Sequence, residues 1–124
     1  MSPSFKIQRV HENAKIPDFT NNGYNIYAVE ETEVKENTPI AIPTGLKMSF
    51  EKNYCAFISK YSLKTLGGLI DSDYRGEVKV IVISKTPRIV KKGEIIAKMH
   101  MLEIVCPEIE AQQGYPSDAN IEVK

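Results

Sequence analysis

An excess of charge of either sign is missing from this 124-residue chain. Lys plus Arg and Asp plus Glu number 16 each. No net field draws it to nucleic acid or to an acidic membrane, and neither is expected as a partner. A phosphate ligand would have to be met by local basic residues. Long hydrophobic runs are missing as well, and none approaches the roughly 20 residues of a membrane span. The stretch Met1 to Ile7 has no apolar run of the signal-peptide kind. Cysteine and histidine are scarce. Cys55 and Cys106 have no metal-ligand spacing, and only His11 and His100 could assist them. Unpaired thiols in a reducing compartment are expected, which makes the protein intracellular, in the cytoplasm or nucleus of a cell or host cell. There is no long window with apolar residues at i, i+3, i+4 and i+7, and no internal repeat, so helices and solenoids are excluded.

What remains is a series of short alternating runs separated by turn residues. Phe5 to Val10 and Leu46 to Phe50 alternate apolar and polar, as half-buried strands do. Pro17 to Gly23 reads as a turn region, and Pro43-Thr44-Gly45 as another turn. Tyr24 to Val29, Ile40 to Ile42, Tyr54 to Ile58, Ile89-Val90 and Glu94 to Ile104 read as further β segments. Val78 to Ile83 is apolar on both faces, which suits a central strand or one at a subunit interface. Turn signals at such regular intervals predict one all-β domain, a sandwich or barrel. Its expected extent is residues 1–106, followed by a polar C-terminal arm at residues 107–124.

One stretch is more particular than a charged turn between two strands. Gly67-Gly68-Leu69-Ile70-Asp71-Ser72-Asp73-Tyr74-Arg75-Gly76-Glu77-Val78 sets two glycines and an aromatic ring among three carboxylates. From Gly68 to Glu77 it resembles the third sequence motif of the dUTPase family, G-[VL]-I-D-x-D-Y-R-G-E. Around it, Gly23-Tyr24-Asn25-Ile26-Tyr27-Ala28 is similar to the first motif, with Asn25 where the family has Asp. Ser59-Lys60-Tyr61-Ser62-Leu63 falls on the second, with Lys60 for Arg and Tyr61 for Ser. Gly93-Glu94-Ile95-Ile96-Ala97-Lys98-Met99 falls on the fourth, with Ile95 for Arg and Lys98 for Gln.

The resemblance implies a dUTPase-like distorted jelly roll or β-barrel that assembles as a homotrimer. It implies hydrolysis of dUTP to dUMP and pyrophosphate, with a deoxyuridine nucleotide as ligand and Mg2+ as cofactor. Asp71 would orient the attacking water, and Tyr74 would stack under the deoxyribose. Lys60 and Ser62 would meet the phosphates, Gly68 and Ile70 would line the substrate site, and Asn25 would hold the hydrated metal indirectly. Lys60 offers a phosphate a point charge rather than the bidentate fork of Arg. The hairpin between the second and third motifs is shorter than the family's. The glycine-rich fifth motif has no counterpart beyond Gln112-Gln113-Gly114-Tyr115-Pro116, where Tyr115 is the one candidate lid ring. Two expectations follow: a dUTP diphosphatase of weakened activity, or a catalytically degenerate relative that binds a nucleotide or a protein partner. Cys55 is expected in the core, His100 on a strand at a surface or interface, and Lys91-Lys92 in a solvated turn.

Overall fold

Strand-forming pentads with one apolar face account for most of the architecture. In Leu46–Phe50 the burial alternates residue by residue, with Leu46, Met48 and Phe50 inside and Lys47 and Ser49 outside. The structure is a computed structural model and describes residues 4–112. Twelve strands follow one another: β1 Phe5–Arg9, β2 Asp18–Thr20, β3 Gly23–Tyr27, β4 Thr32–Val34, β5 Ile40–Pro43, β6 Leu46–Phe50, β7 Tyr54–Lys60, β8 Lys64–Thr65, β9 Leu69–Asp71, β10 Lys79–Ile83, β11 Arg88–Val90 and β12 Ile95–Glu103. The described residues contain no helix, so none is long and apolar enough to cross a membrane.

The strands form four antiparallel sheets: β1-β6, β5-β10-β8, β11-β4 and the five-stranded β2-β3-β12-β7-β9. Neighbours in a sheet are mostly distant in sequence, as expected of a jelly roll rather than a meander. Between the sheets lies one core, in which Ile26, Ile42, Leu46, Val82, Ile96 and Met99 are fully buried. β10 sits centrally between β5 and β8. Val80 and Val82 point into the core, while Ile81 stays 44% exposed on the other face. The two-faced apolar pattern of this segment is therefore met on one side by the core and on the other by open surface.

The segment Pro17–Gly23, expected as a turn, contains the short strand β2. Phe19 pairs with Tyr24 and Thr20 with Gly23, so Asn21-Asn22 alone makes the bend of a tight hairpin. Turn-rich composition concealed three residues whose pairing is set by β3. At the other end β12 stops at Glu103, and residues 107–112 are exposed without strand pairing. Gly114, Tyr115 and Pro116 of the expected arm lie outside the described residues.

One buried polar contact holds two distant parts of the chain together. Thr44, fully buried, donates its hydroxyl to Val78 O at 2.7 Å, and its own N–H reaches the same oxygen at 3.2 Å. The hydroxyl also accepts the Leu46 N–H at 3.3 Å. Replacing Thr44 by the isosteric Val removes this hydroxyl and leaves the Leu46 N–H without its acceptor. The expected cost is about 1–3 kcal/mol, read as a lower urea midpoint with an unchanged m-value.

Candidate functional site

The loop between β9 and β10 is built almost entirely from its own hydrogen bonds. It starts on β9, an edge strand whose Asp71 faces Cys55 of β7, with Ile70 facing Ala56 and Leu69 facing Phe57. The bend before it is made by Gly67, whose φ of 75° lies in the left-handed region. Gly68 serves a different purpose: a Cβ there would stand 2.8 Å from Ile58 O, so its smallness lets the strand lie against β7. Beyond Asp71 the chain turns sharply, with Tyr74 N–H donating to Asp71 O at 3.2 Å. Arg75 folds back and donates to Ser72 O at 2.7 Å, which ties the turn. The Tyr74 hydroxyl donates to Glu77 O at 2.7 Å, and its ring lies over Gly76, where a Cβ would meet the hydroxyl at 2.6 Å. Glu77 then accepts the Gly45 N–H at 3.1 Å, which fastens the loop to the β5–β6 turn.

Asp71, Tyr74 and Ile70, all expected at the site, share one open cleft of about 710 Å³, with Lys79 and Ile81 on its wall. Asp71 is exposed, and Tyr74 keeps 45% of its surface open. Lys60 and Ser62 lie elsewhere. They line a second opening of about 600 Å³ together with Tyr61. Gly68 borders a smaller opening of about 280 Å³, which shares Ile70 with the first and Gly67 with the second. The expected residues thus fall into two groups on one chain, with Asn25 in a third place.

Asn25 belongs to a row of polar side chains that runs across the outer face of the five-stranded sheet. Asp18 on β2 faces Asn25 on β3, Asn25 faces Lys98 on β12, and Lys98 faces Ser59 on β7. Directly paired residues point to the same side of a sheet, so the row is contiguous. The Lys98 ammonium donates to Asn25 Oδ1 and, at 3.2 Å, to Thr20 Oγ1, and lies 5.2 Å from the Tyr61 ring centroid. Asn25 Nδ2 donates to Asp18 Oδ2 at 3.3 Å, and the Tyr27 hydroxyl donates to Asp18 Oδ1. These partners determine the amide orientation, because an ammonium needs an acceptor and a carboxylate needs a donor. Lys98, Thr20 and Asp18 were not expected at the site. For Thr20 and Asp18 the sequence offers only polar residues beside a turn, and for Lys98 only a departure from the fourth motif, none of which says what they touch.

The residues present do not fit a divalent cation at Asn25. Its single carbonyl oxygen already accepts from an ammonium, and the side chain is 6% exposed. A hard cation favours several oxygen ligands, anionic ones above all. Among the described residues no group of three His, Cys, Asp or Glu side chains is placed to hold a metal.

The Tyr27 hydroxyl, foremost, holds the Asp18 carboxyl below its ordinary value of 3.8, with smaller help from Asn25 and Lys98 against some desolvation. Asp18 in turn pushes the Tyr27 phenol above its ordinary range. A carboxyl lowered on folding stabilises the fold above its unfolded pKa, and that contribution is lost as pH falls through the lower folded value. An NMR titration of Asp18 should therefore show a midpoint below 3.8 that moves upward in Tyr27→Phe.

A family model described as dUTPase matches residues 15–122. The deoxyuridine 5'-triphosphate nucleotidohydrolase of Paramecium bursaria Chlorella virus 1 is 38% identical over 96 residues, covering 70% of this chain and 68% of that protein. The enzyme of the same name from Caldanaerobacter subterraneus subsp. tengcongensis is 37% identical over 128 residues, covering 88% of this chain and 86% of the other. Among solved structures, a mutant dUTPase from phage phi11 of S. aureus, described for its coordination of a structural Mg(II) ion, superposes with a TM-score of 0.81. It covers 90% of this chain and 98% of its own at 17% identity, a likeness of fold. Sequence and fold agree, and the chain belongs to the dUTPase family.

Proposed function

We propose that the chain hydrolyses dUTP to dUMP and pyrophosphate, and that it does so as a homotrimer. The observation that carries the reading is the placement of Asp71 and Tyr74 on one self-tied loop lining the same 710 Å³ cleft. That volume lies within the range of about 300–1,000 Å³ typical of small-molecule sites. The Tyr74 ring, tethered through its hydroxyl, is a flat platform for a deoxyribose. The Asp71 carboxylate accepts a proton from a water and aims that water at the α-phosphorus. The new P–O bond forms as the bond to the pyrophosphate oxygen breaks. Lys60 supplies a positive charge to the phosphates and Ser62 a hydroxyl donor, while Gly68 and Ile70 shape the wall beside the base. No step is assigned to a metal held by Asn25.

Assembly of more than one copy is supported by a distance within the chain. Asn25 reaches Asp71 across three strand steps, through Lys98, Ser59 and Cys55, with four residues of offset along β7. Strand spacing of about 4.8 Å and rise of about 3.4 Å separate the two backbones by roughly 20 Å. Lys60 lies one residue further along β7. Groups so far apart do not grip one triphosphate at the point of attack, so a second copy is needed to bring Lys60 to the Asp71 of its neighbour. Phe57, Leu69, Leu102 and Ile81 supply exposed apolar surface for such packing. Phosphoryl chemistry depends chiefly on positioning and charge neutralisation. With a point charge at Lys60, turnover is expected to be weaker than with a bidentate Arg.

The test is pyrophosphate release from dUTP in wild type and Asp71→Asn. Turnover is expected in the wild type and should fall about 10²- to 10⁴-fold in the variant, with the same melting temperature. The scattering mass should be three times that of the chain. No turnover, with a nucleotide-dependent rise in melting temperature, would assign the protein as a binding module instead.

A further inference from the structure

Lys98 occupies a setting unlike that of a surface lysine. It lies near the middle of the five-stranded sheet, half-buried, between Asn25 on one side and Ser59 on the other. Neutral acceptors fix its ammonium: Asn25 Oδ1 and Thr20 Oγ1, the latter anchored by its own hydrogen bond to Gly23 O at 3.0 Å. The carboxylate nearest in the network, Asp18, is turned to Tyr27 and Asn25. Among the described residues the one ion pair formed is Arg88–Glu94, so Lys98 has no direct anionic partner. An ammonium carries three donors, and two are used. The Tyr61 ring lies 5.2 Å from the charge, and that ring also lines the 600 Å³ opening shared by Lys60 and Ser62.

A half-buried positive charge with no carboxylate in direct contact and Asp18 reached only through Asn25, one donor unspent, beside an opening that holds a second lysine, is suited to an anion. It is equally unsuited to a divalent cation, since a metal at the Asn25 oxygen would stand within a few ångströms of the ammonium. We infer that the Lys98 ammonium is the resident cation of the phosphate site and receives the phosphate tail directly, so that nucleotide binding does not require a metal held by the chain. The inference rests on the dUTP reading above for the identity of the nucleotide, and on the Lys98 environment alone for the anion.

Calorimetric titrations with α,β-imido-dUTP and with inorganic tripolyphosphate, in EDTA and in excess Mg2+, test it. Wild-type affinity for the analogue in EDTA should lie within about 3-fold of that in Mg2+. Lys98→Gln should lower the EDTA affinity at least about 10-fold, the loss expected for one charge-assisted hydrogen bond. Lys98→Arg should restore much of it. The double variant Asn25→Asp, Lys98→Gln should bind the analogue only with Mg2+. A wild type that binds only with Mg2+, or equal EDTA affinities in wild type and Lys98→Gln, overturns the inference. Should Lys98→Gln not fold, the wild-type titrations decide alone. Tripolyphosphate bound in EDTA and lost in Lys98→Gln, with the analogue not bound, upholds the anion site and removes the deoxyuridine reading. Failure of both probes to bind removes both.

Discussion

The position of Val78 governs the rest of the molecule. Its carbonyl takes both the hydroxyl and the N–H of buried Thr44, and its N–H goes to Leu46 O at 2.8 Å. One residue earlier, the Glu77 carboxylate takes the Gly45 N–H. Two chain segments more than thirty positions apart are thereby joined through a turn that solvent does not reach. Such a buried network is stable only when every member is satisfied, so it specifies one geometry. The loop that carries Asp71 and Tyr74 hangs between this junction and the pairing of β9 with β7. Because both ends are held and the interior is tied by Arg75 and Tyr74, the cleft is formed before any ligand arrives.

The second constraint is the polar row on the five-stranded sheet. A sheet face that is outside the core would ordinarily carry unrelated solvated side chains. Here Asp18, Asn25 and Lys98 fill adjacent strands and bond in sequence, each partner orienting the next. The row places positive charge near the Lys60 end of β7, while the acidic loop of Asp71, Asp73 and Glu77 begins at the other end. The sheet therefore separates a cationic region from an acidic one. In the proposed assembly, each meets its complement on a neighbouring copy.

Much of the fold was legible. The alternation in Leu46–Phe50 reports a strand because period two is local, and so is the exclusion of helices. The short strand β2 was not legible, since Asp18, Phe19 and Thr20 are strand residues only through pairing with β3. At the site, Gly68 to Glu77 pointed to its family from residue types alone. The motif singled out Gly68 but did not say what either it or Gly67 does for the backbone. Only the approach of Ile58 O and the positive φ of its neighbour tell close packing from bending.

By itself the sequence determined the all-β class, the family and the loop holding Asp71 and Tyr74, because each is written in contiguous residues. It also showed that Asn25 and Lys98 depart from the family's pattern, as two separate substitutions. Tertiary structure alone decided that they form one contact. Asn25 and Lys98 stand 73 positions apart and share a hydrogen bond only because β3 and β12 are neighbours in the sheet. Whether a lone amide is a poor metal ligand or the acceptor of an ammonium depends on what lies across the strand, and strand order is a property of the folded chain.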